Sequence, residues 1–378
     1  MIYLDNAATS AVKPEIVYRT LDEFTRHHSA NAGRGINKES LFSVKAIVKT
    51  QDIVSELFNI SSPQNIAFTP NATYALNFAI LGTLSDGGHA VTTEIDHNSV
   101  LRPLNRLGNF TAVKADKQGY VSPFDIECAI TPETKLIAVS HASNVCGTIQ
   151  NIEAISRIAH DRKIKILIDT AQTAGILKID NALLDADFIA FSGHKGLMGP
   201  LGTGGLYVKN PEDLAPIITG GTGSSSEELV QPRIMPDMLH SGTVNTPAIA
   251  ALGEGIKYVM SIGTDKILAH ERHLAQLLRN ELEKHDNITV YGSKDGIGTV
   301  AFNINGKSSE ETAELFSEFA VRAGYHCAPL AHKALGTDKT GAVRVSFGAF
   351  NTENDVREFI KALLCICLLY TSDAADEH

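Results

Sequence analysis

The sequence predicts an α/β fold with a mostly parallel central sheet and a smaller α+β unit after it. Short apolar runs of strand length alternate with helical stretches between residues 63 and 191, as in a parallel sheet covered on both faces. Two of the runs lead into polar chemistry, Asp169 and Lys195, where a strand's carboxyl end belongs at a ligand site. Beyond residue 255 or so the order changes to a long helical stretch followed by interleaved strands and helices.

Taken in order, Pro14 to His27 and Lys38 to Phe58 carry apolar residues at helical spacing, and the first opens on proline. Strand Ile66-Ala67-Phe68 precedes a helix over Tyr74 to Leu81. Strand Ala90-Val91 precedes a helix over Val100 to Leu107. Then come strand Leu136 to Val139, helix Ile152 to Ala159, and strands Ile166 to Ile168 and Phe188 to Phe191. The polar stretch Gly220 to Ser226 reads equally as a loop reaching a neighbour and as a hinge. A single helical pattern from Pro247 to about His285 follows. After it stand strands Ile288 to Tyr291 and Thr299 to Asn303, a helix near Glu310 to Arg322, a strand near Val343 to Phe347 and a last helix from Thr352. The expected division is a large unit over 15–255 and a small one formed by 1–14 with 256–366.

Length and composition bound the function. At 378 residues the chain is about two and a half typical domains. Its 43% apolar and 20% charged content is that of an ordinary globular protein. A formal charge of −10, with no basic cluster, argues against nucleic acid as a partner. Five cysteines without a C-x-x-C pair form neither a disulfide framework nor a zinc spacing. His27-His28 and the pair His326 and His332 lack a third ligand, so no metal is expected. The start lacks a basic region, with an acid at Asp5, and the longest apolar run, Ala362 to Tyr370, falls far short of the ~20 residues that span a bilayer. A cytoplasmic protein without membrane contact is the expectation. The end stands apart: Cys367-Leu368-Leu369-Tyr370-Thr371-Ser372-Asp373-Ala374-Ala375-Asp376-Glu377 resembles a translated transposon-end sequencing adapter. Residues 367–378 are therefore expected to be a non-native tail on a chain cut short near Ile366.

In Lys165-Ile166-Leu167-Ile168-Asp169-Thr170-Ala171-Gln172 an acid ends an apolar strand, where it is costly unless it caps a helix or meets a cation. Phe188 to Phe191 leads through Ser192-Gly193-His194 to Lys195, and one crossover would bring Asp169 and Lys195 to the same sheet edge. Together they match what pyridoxal 5'-phosphate requires: an imine-forming lysine, and an acid that keeps the pyridine nitrogen protonated so that the ring accepts electrons.

Ser192-Gly193-His194-Lys195-Gly196-Leu197-Met198-Gly199-Pro200 and Asp169-Thr170-Ala171-Gln172 resemble the cofactor motifs of the class V aminotransferases, and within them the cysteine desulfurases and selenocysteine lyases. The resemblance runs from Tyr3 to about Asp355. It includes Tyr3-Leu4-Asp5-Asn6-Ala7-Ala8-Thr9, Ser143-Asn144-Val145-Cys146-Gly147-Thr148 and Arg344-Val345-Ser346-Phe347-Gly348-Ala349-Phe350-Asn351-Thr352. It implies a fold-type I pyridoxal-phosphate transferase. Lys195 is the implied imine-forming residue, Asp169 the partner of the pyridine nitrogen, Gln172 that of the ring hydroxyl, and His97 the group stacked on the ring. Ala72 and Thr73, at the start of the helix after Ile66 to Phe68, suit the phosphate on physical grounds, and Ser192 and His194 complete its site. Thr243 is implied to reach the phosphate of a neighbouring subunit, hence a homodimer. Arg344 is the implied holder of the substrate carboxylate, with Asn6, Ala7 and Asn144 on the substrate side.

Cys327, in Arg322-Ala323-Gly324-Tyr325-His326-Cys327-Ala328-Pro329-Leu330, is similar to the desulfurase cysteine that takes sulfur from the substrate. The implied reaction converts L-cysteine to L-alanine and leaves a persulfide on Cys327. The alternatives are a selenocysteine lyase acting on L-selenocysteine, another class V reaction, and a non-catalytic partner in sulfur metabolism. The chain departs from the common desulfurase pattern at Tyr325, where histidine is usual, and at Asp96 and Asn98 beside His97. Cys128 reads as helix packing and Cys146 as structural, while the protein that receives the sulfur is not identified by the sequence.

Overall fold

The computed structural model describes residues 1–32 and 37–373. Its strands are β1 (Ile2–Tyr3), β2 (Ile66–Thr69), β3 (His89–Thr93), β4 (Phe110–Val113), β5 (Thr134–Ser140), β6 (Lys165–Asp169), β7 (Phe188–Ser192), β8 (Gly204–Val208), β9 (Ile288–Tyr291), β10 (Thr299–Ile304), β11 (Phe319–Ala320) and β12 (Val343–Ser346). The helices are α1 (Glu15–His27), α2 (Lys38–Phe58), α3 (Ala72–Thr83), α4 (Asn98–Leu107), α5 (Pro123–Cys128), α6 (Ile152–Asp161), α7 (Asn181–Leu184), α8 (Thr246–Ile262), α9 (Thr264–Leu282), α10 (Ser309–Glu314), α11 (Pro329–Leu335) and α12 (Glu353–Asp373).

Seven strands form the main sheet in the order β2-β8-β7-β6-β5-β3-β4. The run from β4 to β7 is parallel, and β8 is antiparallel to both neighbours. A parallel return needs a crossover of a dozen or more residues. The short link from β7 to β8 carries the Lys195 turn instead, so the chain comes straight back. Side chains alternate between two buried cores: Ile137, Val139, Ile166, Ile168, Ile189 and Phe191 face one, Leu136, Ala138, Leu167, Phe188 and Ala190 the other. Burial on both faces accounts for the unbroken apolar runs seen in the sequence.

A second, antiparallel sheet runs β9-β10-β12, with α9 and α12 over it. Its core stacks Phe316 on Phe359 at 4.4 Å between ring centroids. Strand β1 pairs parallel with β11, and bridges from Asp5 to Ser346 and from Arg322 to Arg344 tie the N-terminal segment and β12 together.

Four features depart from the expectation. The single helix over Pro247 to His285 is two, because Gly263 breaks it at a φ of 94°, a left-handed backbone that other residues rarely adopt. The helix expected to Arg322 stops at Glu314, since Phe319–Ala320 is drawn into pairing with β1. β4 is a half-buried edge too short to announce itself. β8 was hidden by its opening glycines, which are required: a Cβ on Gly205 would lie 2.2 Å from the Phe191 ring. The stretch Gly220 to Ser226 is anchored at its base, where the Gly220 amide donates to Gln231 Oε1 at 3.0 Å. Helix α12 passes Ile366 without a break, whereas residues 374–378 of the suspected tail, and its side chains, lie outside the described residues. None of the described helices is long and apolar enough to cross a membrane.

Behind the Lys195 turn, Glu271 of α9 is 2% exposed, and among the described residues its carboxyl has no hydrogen-bond or ion-pair partner. Burial pushes its pKa from 4.5 to about 8. A carboxyl protonated in the fold and ionised in the unfolded chain makes stability fall as pH rises, by up to about 1.4 kcal/mol per unit between the two values. Urea unfolding of wild type and Glu271→Gln at pH 5 to 8 should therefore show the variant gaining relative stability as pH rises; a constant difference would refute the assignment.

Candidate active site

The strand register sets the site. Ser140 of β5 pairs with Asp169 of β6, and Asp169 with Ala190 of β7, so three carboxyl ends stand side by side. They open into a cavity of about 280 Å³ lined by, among others, Lys195, Asp169, Gln172, His97, Ala72, Thr73, Ser192, His194, Asn144, Ala7, Arg344 and Cys327.

Asp169 accepts the Ala171 amide on Oδ1 at 2.9 Å, and Oδ2 has no partner among the described residues. Burial pushes its pKa up to about 6, against the pull of Lys195. Lys195 sits in the turn after β7, pinned where Gly193 N–H donates to Thr203 O at 2.8 Å and Met198 N–H to Lys195 O at 2.9 Å. Enclosure pushes its ammonium down to about 8, opposed by Asp169 and helped by Arg344 and Arg322. Gln172 donates to the Ala7 carbonyl at 3.1 Å.

His97 caps α4: its Nδ1 accepts the Ser99 amide at 3.0 Å. Burial, and then Lys195, push its pKa down to about 4, so the ring is neutral. On the facing wall α3 begins at Ala72, capped by Asn71, whose side chain accepts the Tyr74 amide at 3.2 Å, and Thr73 Oγ1 lies 2.8 Å from Ser99 Oγ. The start of this three-turn helix presents unpaired N–H groups, a natural anion site. Gly204 makes the close approach possible, since a Cβ there would lie 2.7 Å from the Asn71 carbonyl carbon. His194 Nδ1 meets Thr9 Oγ1 at 3.1 Å.

Arg344, 2% exposed, donates from Nη2 to Asp5 Oδ1 at 2.5 Å and from Nη1 to the Asn144 carbonyl at 2.8 Å. Its buried Nε has no hydrogen-bond partner among the described residues. A guanidinium N–H left unpaired and buried is costly unless an anion meets it. The free oxygen of Asp169, the helix start at Ala72 and the guanidinium of Arg344 in the cavity wall fit a ligand with a protonated ring nitrogen, a phosphate and a carboxylate.

Comparison with known proteins follows the same line. The aminotransferase class-V family matches residues 2–359. A probable cysteine desulfurase of Methanothermobacter thermautotrophicus is 35% identical over 370 residues, 94% of this chain and 92% of the relative. The chain belongs to the cysteine desulfurase family of class V aminotransferases. A cysteine desulfurase of Cronobacter sakazakii is 30% identical, over 97% of this chain and 93% of the relative. Among solved structures, an apo cysteine desulfurase from Thermococcus onnurineus superimposes with a TM-score of 0.88 at 32% identity, covering 96% of this chain and 93% of that one. The fold is the fold-type I architecture of this family, whose members are pyridoxal-phosphate enzymes.

Two expected residues of this desulfurase-family chain lie outside the cavity. Asn6 spends its amide on Ser346 O at 3.0 Å and Asn351 Oδ1 at 2.9 Å, holding the N-terminal segment and leaving the cavity wall to its neighbour Ala7. Thr243 is exposed beside a separate surface groove. Among the polar residues of the cavity wall, Ser99, Ser140, Arg322 and His326 were not expected there. Ser99 and Ser140 were within reach of the sequence, through the cap beside His97 and the register with Asp169. Arg322 and His326 were not, because only the pairing of Arg322 with Arg344 brings that segment in. His326, adjacent to Cys327, faces His332 instead of the thiol, with Nδ1 and Nε2 3.2 Å apart.

Gly204→Ala should press backbone on backbone at the start of α3 and cost about 1–3 kcal/mol. Thermal melts and titration with pyridoxal phosphate should show a less stable protein with weakened cofactor affinity; wild-type affinity would remove Asn71-Ala72-Thr73 from the phosphate site.

Proposed function

We propose that this chain is a cysteine desulfurase: it binds pyridoxal 5'-phosphate, converts L-cysteine to L-alanine and receives the sulfur on Cys327 as a persulfide. The observation that carries the reading is a single cavity lined by an acid, a lysine, a buried arginine and an exposed thiol, Asp169, Lys195, Arg344 and Cys327.

When bound, the cofactor supplies an electron sink for the substrate's Cα. Lys195 would hold it through its side-chain nitrogen, and the amine, once released and with its pKa lowered to about 8, would take the Cα proton. Asp169 would hold the proton at the pyridine nitrogen, Gln172 would meet the ring hydroxyl, and neutral His97 would cover a ring face. Ala72, Thr73, Ser192 and His194 would hold the phosphate. Arg344 would bind the substrate carboxylate, with Ala7 and Asn144 lining that side. Cys327, at the mouth, attacks the substrate sulfur as thiolate. An S–S bond would form as the C–S bond breaks with its electron pair on Cβ, and a proton delivered to Cβ together with the return of the Lys195 proton to Cα would give alanine.

The reading extends to the assembly. A large cofactor-binding unit spans 15–255, a small one comprises 1–14 and 256–366, and 367–378 is a non-native tail. Thr243, outside its own chain's cavity, reaches the phosphate of a second copy in a homodimer. A reducing, cytoplasmic setting suits the free thiols of Cys128, Cys146, Cys327 and Cys365.

Lys195→Ala should lose the yellow, borohydride-reducible chromophore of the purified protein; a reducible imine that persists would show that another amine holds the cofactor. Cys327→Ser should keep the chromophore and stop alanine release from L-cysteine, scored by amino-acid analysis. Undiminished release would mean that another group accepts the sulfur.

A further inference from the structure

The turn bearing the thiol is held in an unfavourable shape. His326 and Cys327, neither of them glycine, both occupy left-handed backbone, with φ of 48° and 57°, a conformation that persists only where surroundings enforce it. Two hydrogen bonds grip it from the cavity side. Asn144 Nδ2 donates to His326 O at 2.7 Å, and the Asn98 amide, next to His97, donates to Cys327 O at 2.7 Å.

A third grip comes from behind and plays no part in the chemistry above. His326 Nε2 lies 3.2 Å from the Arg322 carbonyl, which also accepts the Arg344 amide at 2.7 Å. A carbonyl only accepts, so Nε2 of His326 carries the proton and Nδ1 must accept. The group facing Nδ1 at 3.2 Å is His332 Nε2, which therefore donates; His332 Nδ1 in turn accepts from Thr337 Oγ1 at 2.8 Å. The two rings lie nearly parallel, 16° between their planes and 5.4 Å between centroids, and the His332 ring is fully buried. The Thr337 hydroxyl, which also lies 3.3 Å from the His332 carbonyl, gives its one proton to the nearer Nδ1, and the His332 ring also bonds the Tyr325 backbone, so Thr337, His332, His326 and Arg322 O form a directed brace within the same turn. It ends on the carbonyl that also fixes the strand of Arg344.

We propose that His332, backed by Thr337, is a positioning residue for Cys327, acting through His326 to keep the thiol-bearing turn closed on the cavity mouth. This rests on Cys327 being the sulfur acceptor, and it assigns a task to a residue that touches neither substrate nor cofactor.

The test is hydrogen exchange at the Asn98 amide, which reports directly on its bond to Cys327 O, alongside kcat and KM for alanine release. In the holoenzyme, His332→Leu should speed Asn98 exchange at least tenfold and lower kcat at least tenfold while KM for L-cysteine changes less than twofold. His332→Gln, whose amide can still donate to His326 Nδ1, should restore both. Thr337→Val, nearly isosteric, gives a second reading if His332→Leu does not fold. Wild-type exchange at Asn98 in whichever of these variants folds overturns the proposal. Failure of the acceptor reading is distinguishable, since it shows as alanine release from Cys327→Ser.

Discussion

Asp169 and Lys195 share one buried cavity, and neither is comfortable there. Burial dominates their mutual attraction: it pushes the carboxyl up to about 6 and the ammonium down to about 8. The residues around them add to the tension, since Asp96 raises the acid further and Arg344 and Arg322 depress the amine. Such a pair, poised close to neutrality, suits proton transfer, and the surrounding sheet exists to keep the two within one cavity. Adjacent parallel strands deliver both groups to the same edge, and neither strand could shift register by one residue without turning its polar end away.

A second buried charge closes the other side. Arg344 comes from the small sheet, Asp5 from the N-terminal segment and Asn144 from the loop after β5, so their contacts lock three distant stretches together. Charges taken out of water cost more than their attraction returns unless the remaining donors are met. The unmet donor here is Nε, enclosed among the described residues while the guanidinium stands in the cavity wall. The arrangement joins stability to the site, because the ion pair that organises the chain ends also sets a guanidinium in that wall.

How much of this could be read beforehand differs by element. Helices α1 and α2 and the buried strands β5, β6 and β7 were legible because hydrophobic periodicity reports burial directly. β8 was not, since its glycines suit a close approach to Phe191 and Asn71 and carry no strand signal. The break at Gly263 was visible as a glycine but unreadable as a break, because a helix tolerates an isolated glycine unless the chain has to turn. In the site, the acid, lysine and arginine stood in recognisable motifs. Arg322 and the bracing histidines did not, for their positions follow from a bridge to Arg344 and from packing across α11.

By itself the sequence determined the α/β class and the family, and offered residue types suited to a pyridine ring, a phosphate and a carboxylate, because these depend on local pattern and chemistry. Only the tertiary structure decided which of those groups face one another. It turned Asn6 to structural bonding and Ala7 to the cavity, aimed His326 at His332 and away from the thiol, and left Nε of Arg344 without a hydrogen-bond partner among the described residues. Those outcomes hang on contacts between segments up to 345 residues apart, and no local spacing encodes the direction in which a side chain points once such segments pack.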